Sequence, residues 1–221
     1  MKIVYVDGQN FLFRIAETLV KARLIEDKNQ LVRFNIRDLF EEILEDTHVE
    51  IRFYGTKIKS SRKSFKTNLI NSGRYRDNSK QLDKKLDEII AKSMHFADIS
   101  RRIRRNLEKQ DIDFMESGML KLRDADICKV CGNKDFKFQE KGVDVGMAVD
   151  IVVDHFKRPN RHQVIVSSDT DIIPALNVIS TGNEKPTYLG FSNRITKAIA
   201  AKSARTIVIE DAQIIETYRK A

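Results

Sequence analysis

Asp7 closes the run Lys2-Ile-Val-Tyr-Val-Asp7, and Asp169 and Asp171 follow the run Val164-Ile-Val-Ser167-Ser168. A further carboxylate, Asp144, stands in Lys141-Gly142-Val143-Asp144-Val145. A short β-branched run reads as a buried strand, so Asp7 and Asp169 fall where two strands end. In an open sheet of parallel strands the loops beyond the strand ends meet along one edge, and acids far apart in the chain converge on one crevice there. Converging carboxylates repel one another unless a cation lies between them, and hard oxygen ligands suit Mg²⁺ or Mn²⁺. Asp7, Asp144, Asp169 and Asp171 are therefore candidate metal ligands.

Each acid also has a plainer use. Asp7 is placed to cap a helix that begins near Asn10, with Gly8 easing the turn. Asp171 is placed to cap the helix that carries Pro174 in its first turn, where the missing N–H is harmless, and this leaves Asp169 without a structural task. Two acids one residue apart on a tight turn address one metal or divide between two. Asp144 is expected at a helix N-terminus, where the macrodipole favours an ionised carboxylate, with capping as the alternative. Asp150, further along that helix, is rotated away from Asp144 and is expected to face elsewhere. Lys141 beside the cluster either offsets its charge and holds a phosphate, or is a solvated lysine before a helix.

The rest of the chain supplies elements to carry these residues. Residues 2–6, 49–54, 112–122, 163–166, 187–191 and 206–209 read as strands. Helical periodicity follows residue 10, runs on from Asn35, covers 80–109 as one long or two joined helices, and returns at 143–156, 171–181, 195–201 and 212–218. Residues 124–140 break the periodicity and are expected to form a loop or hairpin. Alternating strands and helices predict an α/β fold with a mainly parallel sheet covered on both faces. One domain over residues 1–221 is expected, with a basic helical elaboration at 57–110 and the Cys-containing loop or hairpin at 124–140.

With 221 residues and 41% hydrophobic content the chain can bury a real core, which disfavours disorder. Lys and Arg number 40 against 32 Asp and Glu, for a net charge of +8, which suits a polyanionic partner approaching a bound cation. Between Ile51 and Arg76 stand Arg52, Lys57, Lys59, Arg62, Lys63, Lys66, Arg74 and Arg76 with no acid, interleaved with Phe53, Tyr54, Phe65 and Tyr75. Cations release phosphate counterions and exposed rings stack on unpaired bases, so Lys57, Lys59, Arg62, Lys63, Lys66, Arg74 and Arg76 are candidate nucleic-acid contacts. Phe53 and Tyr54 are discounted as members of a buried strand. Arg101, Arg102, Arg104 and Arg105 form a second basic cluster that also reads as the solvated side of a helix. Cys128 and Cys131 have the spacing of half a zinc site and suit neither a disulfide framework nor a complete ligand set; a reduced turn is the expected reading. Without an apolar run of signal or membrane-spanning length, a cytoplasmic protein is expected.

Together, Val4-Tyr-Val-Asp7-Gly-Gln-Asn10, Lys141-Gly-Val-Asp144-Val and Ser167-Ser-Asp169-Thr-Asp171 with Pro174 resemble the three signature blocks of the NYN domain, a PIN-like nuclease family. The resemblance implies a PIN-like three-layer α/β/α fold and a Mg²⁺- or Mn²⁺-dependent ribonuclease. It implies that Asp7, Asp144, Asp169 and Asp171 hold metal while Asn10 and Ser167 or Ser168 support the site. Ile172 stands where the family usually has an aromatic residue. Such a cation would acidify water and offset charge on a phosphodiester under attack, with no covalent enzyme intermediate. RNA is the expected substrate ahead of DNA.

Three other classes compete. A Toprim-like phosphotransfer domain also carries an acid-x-acid pair after a strand, but leaves Asp144 unexplained. A dinucleotide-binding domain needs G-x-G-x-x-G after the first strand, which is absent. A non-catalytic RNA-binding module with a relict acidic site remains, against which stands the presence of all four acids. His48, His95, His155 and His162 lie outside the three blocks, which disfavours histidine-based cleavage.

Overall fold

The computed structural model describes residues 1–58, 61–73, 79–127, 134–180 and 185–220. Its first strand, β1 (Lys2–Asp7), leads into α1 (Gly8–Lys21), then α2 (Ile36–Leu44) and β2 (Val49–Lys57). Two helices follow, α3 (Arg62–Asn71) and the 31-residue α4 (Ser79–Lys109), then the strands β3 (Asp113–Ile127) and β4 (Lys134–Lys141). The second half runs α5 (Val143–Lys157), β5 (His162–Val166), α6 (Ile173–Ile179), β6 (Thr187–Phe191), α7 (Lys197–Ala200), β7 (Arg205–Ile209) and α8 (Asp211–Lys220). The strands form one sheet in the order β4-β3-β2-β1-β5-β6-β7, parallel throughout except for the antiparallel pairing of β3 with β4.

Alternation along β1 explains how both faces are covered. Val4 and Val6 project into a cluster with Phe11, Ile15 and Leu19 of α1, Leu39 and Phe40 of α2, and Ile214 of α8. Ile3 and Tyr5 project the other way, against Val143, Met147 and Ile151 of α5, Leu176 and Ile179 of α6, and Ile199 of α7. Successive strand residues point to opposite faces, so one short buried strand nucleates two helical layers.

The expected long segment at 80–109 is a single helix, and the expected break at 124–140 is the end of β3 and the strand β4. These elements build a satellite core of Phe65 and Leu69 from α3, Leu82, Leu86 and Ile89 from α4, and Leu122 from β3, with Phe136 and Phe138 packed against it. The helix expected at 195–201 contracts to α7, because Thr196 is its N-cap and Ala201 its C-cap. Cys128 and Cys131 lie outside the described residues.

The central strand β1 marks a change in the sheet's connectivity. It pairs with β2 on one side and with β5 on the other, so the chain order reverses direction across the sheet at the β1–β5 boundary. A crevice beyond the carboxyl ends of the strands at such a point is where open α/β sheets bind ligands.

Candidate functional site

Asp7 ends β1 and caps α1. Its Oδ1 accepts from the Asn10 amide at 3.2 Å, and its Oδ2 accepts from Asn10 Nδ2 at 2.6 Å and from Ser167 Oγ at 3.0 Å. Gly8 follows without a left-handed turn. Its importance is space: a Cβ there would lie 2.2 Å from the Phe53 ring and 2.5 Å from the Tyr54 carbonyl oxygen. Gly8 is thus required for close approach of the neighbouring strand and not for the backbone freedom that the sequence suggests.

Ser167, just past β5, joins the two strand ends. Its hydroxyl donates to Asp7 and accepts from the Asp169 amide at 3.0 Å, so the two acids share one hydroxyl. Asp169 Oδ1 in turn accepts from the Asp171 amide at 2.9 Å and caps the 3-10 turn Thr170–Ile172 that leads into α6. The cap on this turn is thus Asp169 and not Asp171, because the chain makes a 3-10 turn before the α-helix that carries Pro174. Asp171 is exposed. Ile172 is fully buried in the cluster under α5 and α6 and fills the packing position with an aliphatic side chain. The Ser168 carbonyl accepts from Thr196 Oγ1 at 3.2 Å, and the Thr196 amide donates to the Tyr188 hydroxyl at 3.2 Å. Thr196, the N-cap of α7, therefore ties the acid-bearing loop to Tyr188 of β6, a role that no local motif in the sequence marks.

Asp144 lies in the first turn of α5, half-buried. Gly142 is the N-cap, at φ 84, and no side chain caps the turn, so capping does not account for Asp144. Helical geometry places Asp144 about two turns before Ile151, near the edge of the stripe that faces the sheet. Gly146 is on the opposite flank against Ser117 of β3, where a Cβ would fall 1.8 Å from Ser117 Oγ. Asp150 lies on that flank too and accepts from the Tyr54 hydroxyl at 2.8 Å, facing away from Asp144 as expected. Burial first, and then this hydrogen bond, hold the Tyr54 phenol above its usual range, so Tyr54 remains a donor. The helix packs against β1, β2 and β3, and also against α6 and the turn Thr170–Ile172.

Of the four acids, Asp7 and Asp169 are brought together. Asp144 and Asp171 are carried by neighbouring elements, and among the described residues no three His, Cys, Asp or Glu side chains form a group that could hold a metal ion. Asp169 Oδ1 is engaged by the Asp171 amide, and Asp171 itself is exposed.

Burial and hydrogen bonding act in opposite senses on Asp7. Asp7 is 7% exposed, and burial raises its pKa; hydrogen bonds from Asn10 and Ser167 pull the other way, while the Asp169 charge adds to the rise. Among the described residues no lysine or arginine pairs with Asp7, Asp144, Asp169 or Asp171. The donors are all oxygens, and the Asp144 carboxylate makes no hydrogen bond among the described residues. Such a set fits Mg²⁺ or Mn²⁺. Lys141 ends β4, is exposed, and sits in register with Met119 of β3, which is itself in register with Lys57 of β2.

The basic candidates divide. Lys63 and Lys66 are exposed on α3, whereas Arg62 pairs with Asp87 at 2.8 Å and Lys57 with Glu116 at 2.9 Å. Lys59, Arg74, Arg76 and Tyr75 lie outside the described residues. Phe65 is 4% exposed, so it joins Phe53 and Tyr54 as a core ring and is corrected from a stacking candidate; its packing partners come from α4 and β3, remote in sequence. On α4, Arg101 and Arg102 share Asp98, and Arg104 bridges Glu108 and Glu116, as a solvated helix side would.

Between α1, α4 and the strands β2 to β4, a cleft of about 510 Å³ is lined by Gly8, Gln9, Phe13, Thr56, Phe96 and Phe114, among others; none of the four acids lines it. Thr56 Oγ1 is buried without a hydrogen-bond partner among the described residues.

No family model and no curated protein matches this chain. Among solved structures, the chain is similar to a crystal structure of a protein of unknown function from Vibrio parahaemolyticus, at 16% identity and a TM-score of 0.50, covering 95% of this chain and 92% of the other. At that identity the likeness is one of fold alone. Among the described residues no helix is long and apolar enough to cross a membrane.

Proposed function

We propose that this chain is a NYN-type, PIN-like nuclease that hydrolyses RNA phosphodiester bonds with Mg²⁺ or Mn²⁺. The observation that carries the reading is the junction of Asp7 and Asp169 through Ser167 at the β1–β5 reversal, with no lysine or arginine among the described residues paired to either acid. Asp144, at the head of α5 and free of a capping task, is the third ligand, and Asp171 borders the same edge.

When bound, the cation supplies acidification of the attacking water and neutralisation of charge at the phosphodiester. The chain's own residues do the positioning. Asn10 and Ser167 orient the Asp7 carboxylate, and the Ser167 hydroxyl also sets the Asp169 backbone. Thr196 anchors the loop between them. Lys63 and Lys66 on α3, and Lys141 at the end of β4, are exposed and offer phosphate contacts.

A second reading, an RNA-binding module with a relict site, is favoured by one observation: Asp7 and Asp169 both serve as helix caps, a use that needs no metal. Incubation of the pure chain with labelled single- and double-stranded RNA and DNA, in Mn²⁺, Mg²⁺ or EDTA, separates the two. The nuclease reading expects RNA cleavage in Mn²⁺ or Mg²⁺ that EDTA abolishes. Firm RNA binding without cleavage in either metal supports the module.

A further inference from the structure

The loop between β6 and α7 leaves the same edge of the sheet as the acid-bearing loop, one strand further on, because β6 pairs with β5 in parallel. Its backbone is fixed at several points. The Arg194 amide donates to the Phe191 carbonyl at 2.8 Å, and the Thr196 amide donates to the Tyr188 hydroxyl. Ile195 folds back over Gly190, where a Cβ would fall 2.5 Å from Ile195 Cδ1. Thr196 Oγ1 donates to the Ser168 carbonyl, so the two loops are tied one residue before Asp169 and one residue before Lys197. On this fixed backbone stand two cations without partners. Arg194 and Lys197 are exposed, and among the described residues neither side chain makes an ion pair or a hydrogen bond. Lys57, Arg62 and Arg104, by contrast, are each paired with an acid.

We propose that Arg194 and Lys197 bind backbone phosphates of the RNA strand where it leaves the acids toward β6. This inference rests on the nuclease reading above and extends its site to a loop that carries no acid. A strand whose reacting phosphate lies at Asp7 and Asp169 brings its neighbouring phosphates close to the same carboxylates, and like charges repel. Cations on the adjoining loop offset that repulsion, and each phosphate they neutralise releases counterions. The ties at Ser168, Tyr188 and Gly190 set the loop in place before the strand arrives, so binding orders two side chains and not a segment of backbone. The basic helix α3 is differently placed, since its Phe65 and Leu69 belong to the satellite core with α4 and β3, at the other end of the sheet order from β6.

The test is binding of labelled single-stranded RNA across a salt series in EDTA, which keeps cleavage out of the measurement. Wild type is compared with the double variant Arg194→Ala/Lys197→Ala, with Arg194→Lys, and with Arg205→Ala, an exposed cation at the start of β7 on the opposite edge of the sheet. The double variant should lower the slope of log K against log salt by roughly 1.4, two contacts at roughly 0.7 each for a single strand, with an unchanged circular dichroism spectrum. Arg194→Lys and Arg205→Ala should keep the wild-type slope. In Mn²⁺ the double variant should cleave with a raised KM and a kcat close to wild type, because neither residue touches the reacting phosphate. A double variant with the wild-type slope, or an equal loss of slope in Arg205→Ala, would overturn the proposal and leave the nuclease reading standing. The expected loss of slope beside a wild type that cleaves no RNA in either metal would overturn the nuclease reading and keep the phosphate contact. A wild type without RNA affinity at low salt would overturn both.

Discussion

Asp7 accepts three hydrogen bonds, yet burial shifts its carboxyl toward the neutral form. A carboxyl whose pKa is raised by folding adds stability that is fully present below its unfolded value, near ~3.9, and that is lost as pH rises through the folded value. In metal-free buffer the wild type should therefore lose stability relative to Asp7→Asn as pH climbs above ~4. Urea unfolding of both proteins across that range measures the difference, and parallel curves would remove the charge argument at Asp7. Thr56 makes an independent case. Its buried hydroxyl has no partner among the described residues, and Thr56→Val keeps the shape while deleting that group, so it should stabilise the fold by about 1 kcal/mol. A loss of stability in thermal unfolding would mean that the hydroxyl is satisfied in solution. At this scale the sequence was informative where chemistry repeats, with an acid after each of two β-branched runs. It was silent on Thr196 and Thr56, whose importance comes from groups on other elements.

The elements were legible in proportion to how local their causes are. The period-2 and period-3.6 patterns placed β1, β2, β5, β6 and β7 and the helices between them, because burial of one face writes itself into neighbouring residues. The misassigned cap before α6 has the opposite origin. A 3-10 turn capped by Asp169 stands between strand and helix, so α6 itself starts after Ile172 without a side-chain cap, and the hydrophobic pattern is unaltered. Phe65 was likewise beyond a local window, since its partners Leu86 and Phe138 come from α4 and β4. The helix α3 keeps Lys63 and Lys66 exposed, and replacing Lys59, Arg62, Lys63 and Lys66 together by alanine should weaken RNA binding and flatten its salt dependence. Each lost phosphate contact should lower the slope of log K against log salt by roughly 0.7 for a single strand. Arg62 is the weakest contributor in that set because Asp87 already neutralises it. Titration at several salt concentrations decides this, and an unchanged slope would move the substrate track away from α3.

For the whole molecule, the sheet order does what no single motif can. It sets β1 beside β5, although α1 to α5 intervene in the chain, and so brings Asp7 and Asp169 to one hydroxyl. Fold class was readable from the alternation of strands and helices; the position of the reversal was not, because strand order depends on crossover packing of remote segments. The placement of Asp144 near the same edge follows from α5 running back across the sheet from a glycine cap. Function in this account rests on negative charge held at that edge and binding rests on cations elsewhere, so the two separate experimentally. Asp169→Asn keeps the side-chain shape and one carbonyl oxygen that can still accept from the Asp171 amide, while removing the charge that attracts a cation. The decisive measurement is cleavage of labelled RNA by wild type and Asp169→Asn in saturating Mn²⁺, with RNA affinity measured on the same preparations. Cleavage should fall by more than the roughly 100-fold that follows loss of a group merely orienting a ligand, with affinity unchanged or increased. Cleavage by Asp169→Asn at the wild-type rate would contradict the assignment of Asp169 as a metal ligand.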